Sequence, residues 1–180
     1  MLEAGSTARL AAFVAGARPF PADVERIAKR LLLDQLARQI AGAAMPWSGA
    51  VRATVRALGS GSGATSVWFG DALAVDEAAF VNGALGYGGD VVDTPGIAAV
   101  EAGAVVIPAV LAVAEQRRST GRALLEGIVA GAEVLLRIAA AVTPHLYARG
   151  HDAPPAAGPF GAAAGCARLL GLRAAQTENA

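Results

Sequence analysis

The feature that most constrains the fold is a stretch apolar on every side, AGAVVIPAVLAVAEQRR at residues 102–118. At helical spacing such a stretch predicts a central helix that other elements surround. Pro108 is expected near its first turns or at a kink. The uncharged part, 102–114, is shorter than the ~20 residues that a bilayer requires, so burial within protein is indicated.

Other segments have the periodicity of helices that pack around such a centre. These helical segments are STARLAAFVAGA, SGAVRATVRAL, DEAAFVNGALGYG, TGRALLEGIVAGAEVLLRIAAAV and PFGAAAGCARLLGL. In contrast, GSGSGATSVWFGDALAV is predicted to be a connection with strand or turn character. The clearest amphipathic helix is PADVERIAKRLLLDQLARQIAGAA, residues 21–44, with one predicted inward stripe: Val24, Ile27, Leu31, Leu32, Leu36 and Ile40. Together these patterns predict an all-α fold with one helical domain over residues 1–180.

Composition excludes several classes of partner. Lys+Arg and Asp+Glu balance at 15 each, so no charge excess indicates nucleic acid or a membrane surface. Only 17% of residues are charged, so we expect a homo-oligomer or a partner chain, with aggregation in isolation as the alternative. The single Cys166 forms no internal disulfide, and the N-terminus lacks the basic start of a secretory signal. A cytoplasmic protein is therefore expected.

Two polar segments interrupt the apolar sequence and hold most of its chemistry-capable side chains. The first, Tyr87–Glu101, contains YGGDVVDTPG, and the second, His145–Gly158, is rich in proline and glycine. Both are predicted to be loops that connect helices. Binding and catalytic residues concentrate on loops held by a rigid scaffold, so a site between the two loops is expected.

The order of several segments resembles the 2-methylcitrate dehydratase family, the MmgE/PrpD group, which includes cis-aconitate decarboxylase and an iminodisuccinate epimerase. The segments that carry the resemblance are RIAKRLLLDQLARQIAGA, AAFVNGALGYGGDVVDT, GAVVIPAVLAVAE, LLEGIVAGAEVLLRI and GPFGAAAGCARLLGL. They cover about Ala11 to Ala180. The resemblance implies an all-helical domain, which longer members combine with an α/β lid, so this chain is expected to be partial relative to the family.

The resemblance also implies site residues, some of them altered. The family signature Asn-Gly-Ala-x-x-His-x-x-Asp-Phe-Asp-Asp-Thr-His aligns with residues 82–95, where Asp90, Asp93 and Thr94 match and Tyr87 replaces the first histidine. The histidines assigned to the family's chemistry align with Glu101 and Asp152, and the lysines of later family sequence have no counterpart here. The implied catalytic residues are Asp90, Glu101, His151 and Asp152, and the implied substrate-binding residues are Tyr87, Asp93, Thr94 and Arg149. No cofactor and no metal are implied.

These residues also have structural explanations. Asp90 and Thr94 are four apart and suit a helix cap or backbone hydrogen bonds. Glu101 suits the N-terminus of the apolar helix, where the helix dipole favours a carboxylate. Tyr87 suits a core position. His145 follows a proline and is expected at the surface.

The function that the resemblance implies is a lyase or isomerase of the dehydratase type. It would abstract a proton from a small hydroxy- or keto-acid-like substrate. Crowded acids without lysine fit a substrate less anionic than a tricarboxylate, because like charges repel. Two alternatives stay open: a non-catalytic binding or scaffold subunit, and one half of a split enzyme completed by a second chain.

Overall fold

A computed structural model of the chain describes residues 5–16, 19–58, 61–66, 68–88 and 100–180. Over these ranges it confirms the all-α prediction, because helices dominate and one two-stranded antiparallel ribbon accompanies them. None of the helices described is long and apolar enough to cross a membrane. The elements in chain order are α1 (Ser6–Ala15), α2 (Ala22–Ala43), α3 (Ser48–Leu58), β1 (Ala64–Thr65), β2 (Ala72–Leu73), α4 (Val75–Tyr87), α5 (Ala102–Arg117), α6 (Gly121–Ala148), α7 (Ala153–Leu169) and α8 (Ala174–Glu178).

The apolar stretch forms α5 and lies at the centre, as its pattern predicts. Val106, Ile107 and Val110 have no solvent-exposed surface, and Pro108 is buried within the helix. Helices α2, α4, α6 and α7 all contact α5. The main core joins it to apolar residues of three of them: Ala28 of α2, Ile128, Leu135 and Ala139 of α6, and Ala153 and Ala157 of α7. Burial of these side chains is the main force that assembles the bundle.

Close contacts at glycines show the relative directions of α5, α6 and α7. Gly158 faces Val105 and Gly165 faces Val110, so α7 runs parallel to α5. Gly165 also approaches Gly127, while Gly161 approaches Gly131, so α6 runs antiparallel to α7. The starts of α5 and α7 and the end of α6 therefore lie at the same end of the bundle, which we call the acid end.

The inward face of α2 differs from the predicted stripe. Ile27 and Ile40 are 52% and 46% exposed, whereas Leu31 and Leu32 pack against the main core as predicted. The fully or nearly buried residues of α2 are Ala28, Gln35, Arg38, Gln39 and Gly42. The predicted stripe was wrong at Ile27 and Ile40, whereas Val24 and Leu36 are half-buried. Near Ile40, α2 approaches α4 closely at a glycine. A Cβ at Gly42 would lie 2.0 Å from the carbonyl oxygen of Leu85.

The second predicted loop is much shorter than its proline content indicated. Helix α6 continues through Pro144 to Ala148, and α7 begins at Ala153 with Pro154 in its first turn. A proline in a first turn removes only an N–H that would have no partner within the helix. The connection is therefore residues 149–152 alone, and α6 and α7 form a helical hairpin.

Arg168 of α7 links three helices. Its guanidinium bonds Glu126 of α6 at 3.0 Å and the carbonyl oxygen of Val14 in α1 at 3.2 Å. We expect Arg168→Gln to lower the free energy of unfolding by about 2 kcal/mol, because Glu126 loses a partner in a largely buried position. Urea unfolding followed by circular dichroism measures the change.

Arg137→Gln is the matched control for Arg168→Gln. Arg137 pairs with Glu133 four residues earlier on α6, as the sequence predicts, but its side chain is 66% exposed. Exposed pairs of this kind contribute about 0.5 kcal/mol or less. Equal losses in the two variants would contradict the linking role of Arg168.

Candidate functional site

Two carboxylates lie at the acid end, each at the start of a helix. Glu101 is the N-cap residue of α5 and Asp152 is the N-cap residue of α7. Because α5 and α7 run parallel, their N-termini are neighbours. The unpaired N–H groups of a helix N-terminus stabilise negative charge, so two such termini favour acids at this place.

Asp152 is held by one of its two oxygens. Its Oδ1 accepts the backbone N–H of Ala153 at 2.9 Å and the hydroxyl of Tyr147 at 2.9 Å. Its Oδ2 has no hydrogen bond to the described part of the chain. One oxygen is therefore fixed by the hairpin, and the other is open to accept a proton or a hydrogen bond.

Glu101 is half-buried and makes no capping hydrogen bond with its side chain. Its Oε2 is fully buried and has no hydrogen-bond partner among the described residues. A buried carboxylate oxygen without a donor is costly, and such groups in native proteins call for an explanation. A role in binding or proton transfer would supply one.

Two phenols complete the acid end, and both have raised pKa values. Burial raises the pKa of Tyr87, and the charges of Glu101 and Asp152 raise it further. The hydrogen bond to Asp152 raises the pKa of Tyr147, with smaller contributions from burial and from the charges of Asp152 and Glu101. Both hydroxyls therefore stay protonated at neutral pH and can donate a hydrogen bond, which Tyr147 gives to Asp152.

Of the residues singled out from the sequence, Tyr87, Glu101 and Asp152 come together at the acid end. Arg149 and His151 are exposed in the adjacent connection. Asp90, Asp93 and Thr94 lie outside the described residues. The catalytic and substrate-binding roles of all these residues stay predictions.

Tyr147 is the residue that sequence reasoning missed. The chain contains only two tyrosines, and both are at this cluster. Their scarcity was a usable signal, because each lies within or beside a polar segment of an otherwise apolar chain. Its position five residues before Asp152 becomes meaningful only when the helical hairpin is known.

Three other candidates for chemistry are weaker. No group of three or more His, Cys, Asp or Glu side chains arranged to hold a metal occurs within the described ranges. Burial raises the pKa of Cys166 to about 11, so its thiol is protonated and unreactive near neutral pH. His145 is exposed, as its sequence context predicts.

Comparison with known proteins places this chain in a family. The family model described as the MmgE/PrpD N-terminal domain matches residues 8–180. The chain belongs to the MmgE/PrpD family. A relative within it is the cis-aconitate decarboxylase-like protein oryM of Aspergillus oryzae, which is 30% identical over 188 aligned residues. The alignment covers 99% of this MmgE/PrpD chain and 39% of the relative.

A mainly apolar cleft of this MmgE/PrpD domain lies away from the acid end. This cleft of about 210 Å³ lies between α1, α6, α7 and α8, and its wall includes Val14, Val134, Ile138 and Phe160. It lacks the paired acids and phenols of the acid end. The acid end is therefore the better candidate for proton-transfer chemistry.

Proposed function

We propose that this domain contributes the proton-transfer groups of a lyase or isomerase acting on a small hydroxy- or keto-acid-like substrate. The observation that carries the proposal is the juxtaposition of an unpartnered Glu101 oxygen, the open oxygen of Asp152 and two protonated phenols. The family is dehydratase- and decarboxylase-like, which supports the reaction class. Because the chain spans 39% of the relative's length, the activity of the whole protein is part of the proposal.

The chemistry assigns different roles to the acids and the phenols. Removal of a proton next to a carboxylate or carbonyl needs a base, which Glu101 or Asp152 supplies through its unpartnered oxygen. The electrons then move toward an oxygen of the substrate, where Tyr87 is a suitable donor because its phenol stays protonated. His151, one position from the family's histidine, is a further candidate acid or base.

The negative charges at the acid end restrict the charge of a suitable substrate. Glu101 and Asp152 carry two negative charges at one place, and Arg149 is the nearest cation in sequence. A tricarboxylate would be repelled unless cations came from outside the described residues. We therefore propose a neutral or weakly anionic substrate, with Asp90, Asp93 and Thr94 assigned to binding and orientation by the family signature.

Deuterium exchange tests this proposal without requiring the full reaction. The complete protein is incubated with small hydroxy and keto acids in deuterium oxide, and loss of the exchangeable C–H signal is followed by NMR. We expect exchange with at least one weakly anionic acid, and Asp152→Asn should slow it by about 10-fold or more. Glu133→Gln, which alters an exposed acid of α6, should leave the rate unchanged.

A non-catalytic subunit is the second candidate, and a specific departure from the family pattern favours it. The positions of the family's two histidines hold Glu101 and Asp152, so the usual acid–base pair is replaced. A binding or scaffold subunit, or half of a split enzyme, would retain the fold under such replacement. Exchange that appears only when a second chain is added would support the split enzyme, and no exchange under either condition would support the scaffold.

We also propose that the chain self-associates or binds a partner chain. The support is its low content of charged residues together with exposed apolar side chains, of which Leu33 on α2 is 70% exposed. Sedimentation at micromolar concentration should show a species larger than one chain. A soluble monomer would contradict this proposal without affecting the chemistry.

A further inference from the structure

Tyr147 and Asp152 form a contact built into the hairpin itself. Tyr147 lies in the last turn of α6, Asp152 caps α7, and the Tyr147 hydroxyl donates to Asp152 Oδ1 at 2.9 Å. The same oxygen accepts the N–H of Ala153. Two donors from opposite sides of the connection thus fix one carboxylate oxygen, and the rotation of the side chain is restricted.

The backbone that connects these two residues is also held by hydrogen bonds. The carbonyl oxygen of Leu146 accepts the N–H groups of Arg149 and His151, each at 3.0 Å. Gly150 has a φ of 76°, a left-handed conformation that allows this sharp end to α6. The connection therefore holds Tyr147 and Asp152 in position before any ligand arrives, which is the arrangement that a proton-transfer group requires.

We propose that Tyr147 is the positioning residue of Asp152, occupying Oδ1 so that Oδ2 alone faces the substrate. This inference rests on the proposed function, in which Asp152 exchanges a proton with the substrate. The proton accepted by Oδ2 comes from the substrate carbon and returns to the substrate or to solvent, while the Tyr147 proton stays on its own oxygen. Tyr147 thus acts through Asp152 and does not touch the reacting atoms.

A double-mutant cycle separates positioning from independent action. We expect Tyr147→Phe to lower kcat by about 10-fold with little change in KM, because the base is misdirected while the binding groups remain. In the Asp152→Asn background the same change should have no further effect. His145→Gln, an exposed residue of the same helix turn, is the control and should leave kcat and KM unchanged.

A spectroscopic titration tests the contact independently of activity. Since the chain has two tyrosines, the ultraviolet absorbance of tyrosinate reports on Tyr87 and Tyr147 alone. In a Tyr87→Phe background, Asp152→Asn should lower the pKa of Tyr147, because the hydrogen bond to Asp152 is the main cause of its raised value. An unchanged titration would overturn the contact and the positioning role.

The outcomes of the two measurements are distinguishable. A shifted titration with a non-additive cycle supports the positioning role. A shifted titration with additive losses overturns it, because Tyr147 would then act separately from Asp152. Wild-type turnover in Asp152→Asn overturns this inference and leaves Glu101 as the base of the proposed function, whereas no proton exchange by the wild-type protein overturns the proposed function itself. Thermal unfolding of each variant by circular dichroism shows that the fold is retained.

Discussion

Glu101→Gln is expected to reduce turnover by about 10²-fold or more while leaving the helical content unchanged. The substitution keeps the size of the side chain and removes its charge and its basicity. Glu101 Oε2 is buried without a donor, so the native protein gains little stability from the carboxylate. The amide of glutamine should therefore leave the fold intact, but it cannot accept the proton as a carboxylate does. Steady-state kinetics and far-ultraviolet circular dichroism measure the two effects.

The control for Glu101→Gln is Glu126→Gln, an acid of α6 that pairs with Arg168 away from the acid end. It should reduce stability and spare turnover, the reverse of Glu101→Gln. The family signature leads us to expect that Asp90→Asn also reduces turnover. If Glu101→Gln and Asp90→Asn both behaved as wild type in an active enzyme, the site assignment would be wrong.

Gly131→Ala is the second large expected effect, on stability. A Cβ at this position would lie 2.6 Å from the carbonyl oxygen of Gly161 and 2.6 Å from Val106 Cγ1. The first of these atoms is backbone, so α6 and α7 must separate to make room. We expect the free energy of unfolding to fall by about 3 kcal/mol, at the upper end of the usual cost of overpacking. Urea unfolding provides the measurement.

Gly121→Ala in the same helix is the matched control for Gly131→Ala. Gly121 is the first residue of α6, and a Cβ there would meet no atom within 4 Å. Alanine has the higher helix propensity, so stability should stay the same or rise by up to ~1 kcal/mol. A similar loss in both variants would show that the close contact between α6 and α7 is not the cause.

Sequence periodicity was sufficient for the elements and for the central helix, because a helix that is apolar on all sides is stable only where other helices surround it. It was insufficient for α2, where Gly42 and Gln35 face inward and the larger Ile27 and Ile40 face outward. Which face of a helix is buried depends on how closely its neighbour approaches. That distance is set by residues such as Leu85, distant in sequence, and periodicity alone does not contain it.

For the candidate site, the sequence predicted individual residues better than it predicted which of them are neighbours in the fold. The family pattern indicated Glu101 and Asp152, but the parallel course of α5 and α7 makes them neighbours. The contact of Tyr147 with Asp152 depends on α6 continuing past Pro144, which the proline content had argued against. Leu146, two residues after Pro144, packs against the main core, which favours the continued helix.

The helical hairpin has a consequence for the order in which the acid end assembles. Tyr147 and Asp152 are five residues apart, so their contact closes a short loop at small entropic cost. Glu101 reaches the same place only after α5 docks against α7, which closes a much longer loop. During folding we expect the hairpin contact to form early and the pairing of the two acids late. The distance between the acids is therefore sensitive to every substitution that weakens docking of α5, including changes far from either carboxylate.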